Sequence, residues 1–160
     1  MYNLKRGRGS YKGLIGECLF KLTRKYLIVT KFFNKNKYFY IFGDKLSEEE
    51  KDFIEKNWFS IDAIELDYTK NPRKVILFEI KTLNDYGENV LRKNIWLPKM
   101  TLATSDMYKE ALKRGFDVKV AIIWLKDNWN YSIELTDFEK ANYIIDKPKQ
   151  YDKNKDSYFL

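Results

Sequence analysis

The chain of 160 residues has no histidine and a single cysteine, with only three prolines and seven glycines. Without histidine there is no imidazole general base, no Ser-His-Asp or Cys-His arrangement and no His-containing zinc site. Cys18 alone cannot close an internal disulfide or build a thiolate metal site, so it reads as a small buried hydrophobe. Neither a GxxxxGKS/T phosphate loop nor a GxGxxG run occurs, which leaves nucleotide-dependent chemistry without a motif. No apolar run approaches the roughly 18 residues of a membrane span, and the basic start is not followed by an apolar signal region. The expectation is a cytoplasmic protein. Any catalysis has to come from carboxylates, lysine, tyrosine or hydroxyls.

What is present fits one soluble domain. With 44% hydrophobic, 17% aromatic and 33% charged residues the chain is too apolar for disorder and too charged for a membrane. At roughly 150 residues per domain, residues 1–146 form one domain, large enough to bury roughly 70% of its unfolded surface. Residues 147–160, rich in Lys, Asp and Asn, read as a loosely docked tail. Abundant lysine, tyrosine and isoleucine beside a single glutamine, Gln150, resembles the usage of thermophilic proteins.

The net charge of +7 is unevenly spread. Residues 1–40 carry ten bases (Lys5, Arg6, Arg8, Lys12, Lys21, Arg24, Lys25, Lys31, Lys35 and Lys37) against one acid, Glu17, leaving −2 for the rest. A one-sided basic segment interleaved with Tyr2, Tyr11, Tyr26, Phe32 and Phe33 is the footprint of a phosphate-backbone binder. The plainer alternative is a solvated face of a lysine-rich protein.

Periodicity and turn chemistry give an element order. Ser10 caps a helix over 10–26 with an apolar stripe of Leu14, Ile15, Cys18, Leu19 and Leu22. Residues 27–33 and 38–42 read as two strands around a polar turn, and Ser47 with Glu50 forms a capping box opening a helix to Asn57. Strands follow over 59–66 and 74–82, joined near Asn71-Pro72. A polar loop over 83–96 leads to a helix over 98–114. Strands over 118–125 and 129–135 and a last helix capped by Thr136 complete an α/β fold with a mixed central sheet flanked by helices.

Within that frame the charges at the end of the 74–82 strand stand out. Strand alternation puts Glu79 and Lys81 on one face with Val75 and Leu77, where charge is costly unless paired or metal-bound. Asp62 begins the preceding strand, so a hairpin brings Asp62 and Glu79 together. Two carboxylates about 5 Å apart repel by roughly 3 kcal/mol at an effective dielectric of 20, which a divalent cation relieves. The alternative acid is Asp67. Glu-x-Lys alone is weak, since Glu49-Glu50-Lys51 and Asp117-Val118-Lys119 also place an acid two residues before a lysine, and a plain strand-end salt bridge is the competing account.

Gly13-Leu14-Ile15-Gly16-Glu17 on a first helix, then Asp62, then Glu79-Ile80-Lys81, then a helix and a strand, resembles the PD-(D/E)XK nuclease superfamily over roughly residues 8–125. Its archaeal Holliday-junction-resolvase-like and restriction-endonuclease-like members are the most similar. The chain departs from the name in having Ile61 where the proline would be, and in a longer hairpin. The resemblance implies a restriction-endonuclease-like core and a metal-dependent DNA endonuclease, with junction or branched DNA as a candidate substrate. It implies that Asp62, Glu79, the Ile80 carbonyl and Glu17 hold Mg²⁺ or Mn²⁺, and that Lys81 orients water and stabilises charge on the phosphate. From their charge, Lys5, Arg6, Arg8 and Lys12 are candidates to contact DNA, as are Arg92 and Lys93 in the polar loop, for which an ordinary connection is the competing account. Similar resolvases and restriction enzymes pair their sites, which points to a homodimer. Lys99, Thr101 and Ser105 are candidates to face the site, and Trp58, Trp96, Trp124 and Trp129 to stack on bases or fill the core. The competing readings are a binding module that has lost turnover and a protein-interaction domain, with DNA or RNA as the nucleic acid.

Overall fold

The computed structural model describes residues 4–84, 97–127 and 130–146, with residues 4–10 as backbone only. In chain order the elements are α1 (Leu4–Thr23), β1 (Leu27–Val29), α2 (Lys35–Phe42), α3 (Glu48–Asn57), β2 (Ala63–Asp67) and β3 (Lys74–Asn84). After them come β4 (Lys99–Thr101), α4 (Leu102–Lys113), β5 (Asp117–Leu125), β6 (Tyr131–Asp137) and β7 (Ile144–Asp146). The result is an α/β fold with a mixed sheet in the order β1-β2-β3-β5-β6. Only the β3–β5 pair is parallel in that sheet, because α4 provides the crossover between them.

The two strands buried on both faces are the neighbours β3 and β5. Val75 and Leu77 pack under Phe53 and Ile54 of α3 and Tyr108 and Ala111 of α4. The alternate residues Ile76, Phe78 and Ile80 pack with Phe20 of α1. The Phe20 and Phe78 rings meet edge to face at 5.2 Å. Helices therefore cover both faces of β3, and its charged end lies between α1 and α4.

The Ser47–Glu50 capping box is present in both directions and opens α3 where the sequence indicates. Other elements depart from expectation. The α1 helix runs over Leu4–Thr23 and buries Gly16, Glu17 and Phe20, while Leu14, Ile15, Leu22 and Cys18 are exposed. The cause is close approach: a Cβ at Gly16 would run into Thr82 Oγ1, so the helix turns its side-chain-free position to β3 and most of the apolar stripe away, leaving only Leu19 of that stripe half-buried against the core. Residues 38–42 are helical, because the Asn34 side chain accepts from the Lys37 N–H at 2.9 Å and caps α2. The 98–114 helix starts only at Leu102, capped by Thr101, because Lys99–Thr101 pairs with β7 in a separate two-stranded parallel sheet. In place of a last helix the chain makes a 3-10 turn, Phe138–Lys140, and enters β7. Gly115 follows the end of α4 with φ of +94°, a conformation glycine adopts freely. Among the described residues no helix is long and apolar enough to cross a membrane.

Candidate functional site

The site is built where β2 stops short of β3. Ala63 pairs with Phe78, so Asp62, one residue before β2, falls opposite Glu79. Beyond that point β3 has no β2 residue to bond, and Asp62 Oδ2 takes the Ile80 N–H at 2.8 Å. A residue's N–H and C=O point to the same edge of a strand, so the Ile80 carbonyl is turned to the same gap. The Asp62 backbone is fixed from the other side: its carbonyl accepts from the Thr30 N–H at 3.0 Å and the Thr30 hydroxyl at 3.2 Å. Two strand ends thus clamp Asp62 in place.

Glu79 is buried and doubly held. Lys81 Nζ lies 3.0 Å from its Oε2, and the buried Tyr108 hydroxyl donates to its Oε1 at 3.0 Å. The same hydroxyl is 3.0 Å from the Phe78 carbonyl. Burial first, then the Glu79 charge, holds the Tyr108 phenol well above its ordinary range, so it stays a donor. On the α1 side, buried Glu17 receives Lys31 Nζ at 3.0 Å. The contact of Gly16 with Thr82 sets how deeply Glu17 enters.

These groups share one electrostatic environment. Burial raises the half-buried Asp62 carboxyl well above the usual carboxylate range, with further increments from the Glu79 and Glu17 charges, against the Ile80 N–H and Lys81. Asp67, the other candidate acid, sits at the opposite end of β2 across from Lys74. It accepts from the Thr69 N–H at 3.1 Å, and the Thr69 hydroxyl holds its carboxyl below the usual range.

The structure thus brings Glu17, Asp62, Glu79, Ile80 and Lys81 to one end of the sheet. It does not bring the three α4-side candidates there: Lys99 is exposed on β4, Thr101 caps α4, and the Ser105 hydroxyl meets that of Tyr143 at 2.8 Å. The residue that reaches the site from α4 is Tyr108, one turn beyond Ser105 on the buried face. Trp58 and Trp124 are buried. Arg92, Lys93, Trp96, Trp129 and residues 147–160 lie outside the described residues, as do the side chains of Lys5, Arg6 and Arg8, whereas Lys12 is half-buried on α1. Arg24 is committed elsewhere, forking onto Glu65 at 2.8 and 2.9 Å.

No protein-family model, curated protein or solved structure matches the chain. Among the described residues no three acidic or sulfur side chains close into a metal cage. The donors at the strand end are nevertheless all oxygen, and Mg²⁺ is commonly held by one or two carboxylates with water and substrate phosphate completing its shell. Asp62, Glu79 and the Ile80 carbonyl fit that demand in kind, and the mutual repulsion of the acids is the condition a cation relieves.

Proposed function

We propose that the chain is a divalent-metal-dependent nuclease hydrolysing phosphodiester bonds in DNA, on a restriction-endonuclease-like core of the PD-(D/E)XK kind. One observation carries the reading: Asp62 and Glu79 share a strand end with Lys81, the Asp62 carboxyl being destabilised by burial and by Glu79. A carboxylate whose charge is disfavoured by burial and by a like-charged neighbour is expensive for a fold, and such groups cluster at sites that do chemistry.

In this reading Asp62, Glu79 and the Ile80 carbonyl hold Mg²⁺ or Mn²⁺, with Glu17 ligating directly or through water. A bound cation supplies Lewis-acid neutralisation of the phosphate and lowers the pKa of water. Lys81 orients the attacking water and offsets charge developing on the phosphate oxygens. Tyr108 fixes the Glu79 carboxylate through Oε1 and leaves Oε2 to the Lys81 side. The basic first quarter of the chain holds the DNA backbone, and two copies place two sites for cutting both strands.

A second reading has its own support. Glu17 and Glu79 are each already paired with a lysine, at 3.0 Å in both cases, which suits a nucleic-acid-binding module without turnover. Cleavage of labelled single-stranded, duplex, flap and four-way-junction DNA, with Mg²⁺ or Mn²⁺ and with Glu79→Ala beside wild type, separates the two. Metal-dependent cutting that Glu79→Ala lacks upholds the nuclease. Salt-sensitive binding without cutting, and no calorimetric heat with Mn²⁺, selects the module.

A further inference from the structure

A cavity of about 490 Å³ opens beside the carboxylates, lined by Glu17 and Asp62 together with Lys31, Lys35, Phe33 and Phe59 among others. That volume lies within the roughly 300–1,000 Å³ of small-ligand sites. Its most unusual wall is Phe59, which follows buried Trp58, precedes β2 and is 92% exposed. A lone exposed hydrophobe is ordinary on a protein surface. Phe59 differs in its company: Lys35 Nζ lies 5.9 Å from its ring centroid, and Lys31 stands on the Glu17 side of the same cavity. Lys35 is 4.0 Å from Glu55, a loose pairing, and Lys31 spends one contact on Glu17, so both ammonium groups keep donors for another anion. An open aromatic face, two lysines and an acidic catalytic edge in one cavity match the parts of a nucleotide in their chemistry.

We propose that this cavity is a subsite for one unpaired nucleotide adjoining the cleaved phosphate, with Lys31 and Lys35 on its phosphate and its base stacked on Phe59. The inference rests on the nuclease reading and adds the substrate class, nucleic acid with a single-stranded segment. A base within a duplex has both faces covered by its neighbours and reaches a lone ring only by unstacking. An unpaired base offers a free face, and stacking on an aromatic side chain tolerates any base identity.

The test measures binding with the divalent metal chelated, so that no turnover is needed. Fluorescence anisotropy of a labelled oligothymidylate and of a labelled blunt hairpin duplex is compared for wild type, Phe59→Ala, Phe59→Trp and Lys35→Ala. Phe59→Ala is expected to weaken oligothymidylate binding roughly 5- to 150-fold while changing duplex binding by less than about twofold, and Phe59→Trp to retain it. Lys35→Ala weakens both and lowers the salt slope by about one. An unchanged oligothymidylate affinity in Phe59→Ala, an equal loss on both probes, or a wild type that binds neither overturns the subsite. The two levels separate cleanly: Phe59-dependent single-strand binding by a protein that cuts nothing upholds the subsite and removes the nuclease. Metal-dependent cutting with Phe59-independent binding does the reverse.

Discussion

Two neighbouring strands carry the same acid-x-lysine pattern and give it opposite fates. In β3, Glu79 is 6% exposed, bonded to Tyr108 and Lys81, and faces a second acid across a strand end. In β5, Asp117 is 52% exposed and 3.7 Å from Lys74, while Lys119 reaches Asp137 at 2.6 Å. The second set is a row of opposite charges on neighbouring strands, each with a partner and with water. Burial and a like-charged neighbour separate them, and the short motif encodes neither.

The largest expected effect breaks the comparison directly. Glu79→Gln should lower metal-dependent cleavage by at least about 100-fold, the scale of removing one group aimed at transition-state charge. Asp117→Asn should leave it within about twofold. Initial rates on the preferred DNA decide this, and equal losses would mean that the buried and exposed patterns do not differ in function.

Stability should move in the opposite sense. Burial and the charges of Glu79 and Glu17 raise the Asp62 carboxyl, so keeping it ionised at neutral pH costs the folded state free energy. Asp62→Asn removes that charge and retains an oxygen for the Ile80 N–H. Urea unfolding in chelator at pH 7 should show a gain of order 1 kcal/mol, together with loss of the extra stability that Mg²⁺ gives wild type. A destabilised Asp62→Asn would show that the carboxylate is there to hold the hairpin end.

How much of this could be read from the sequence follows the range of the interaction. Strand alternation suffices to pair Glu79 with Lys81, and antiparallel pairing suffices to bring Asp62 opposite Glu79. The capping box of α3 is written in two residues three apart. Helix α1 misleads because its buried face is Gly16, Glu17 and Phe20, chosen by contact with Thr82 and by the site, so the more apolar stripe of Leu14, Ile15 and Leu22 faces out. The aromatic run 38–42 looks like a strand until Asn34 is recognised as a cap. Tyr108 could not be found from spacing alone, since its partners Phe78 and Glu79 meet it only after α4 crosses over β3.

The smallest effect sharpens the comparison from the exposed side. Lys119, with lesser help from the charges of Lys140 and Lys74, holds the Asp137 carboxyl below the usual range. A carboxyl lowered on folding contributes stability that is fully present above its unfolded value of about 3.9 and is lost as pH falls through its lower folded value. Lys119→Ala should therefore lower stability slightly at neutral pH and leave it nearly unchanged below both values, so that the fall from about pH 4 into acid becomes shallower. Added salt should erase most of the difference, because the pair stands in water. Asp62 has the reverse sign: its raised carboxyl takes up a proton more readily in the folded chain, so its contribution declines as pH rises from about 3.9 through its folded value. Urea midpoints of wild type, Lys119→Ala and Asp62→Asn across acid pH should then bend in opposite directions. Two acids bending alike would deny that burial is what separates the strands.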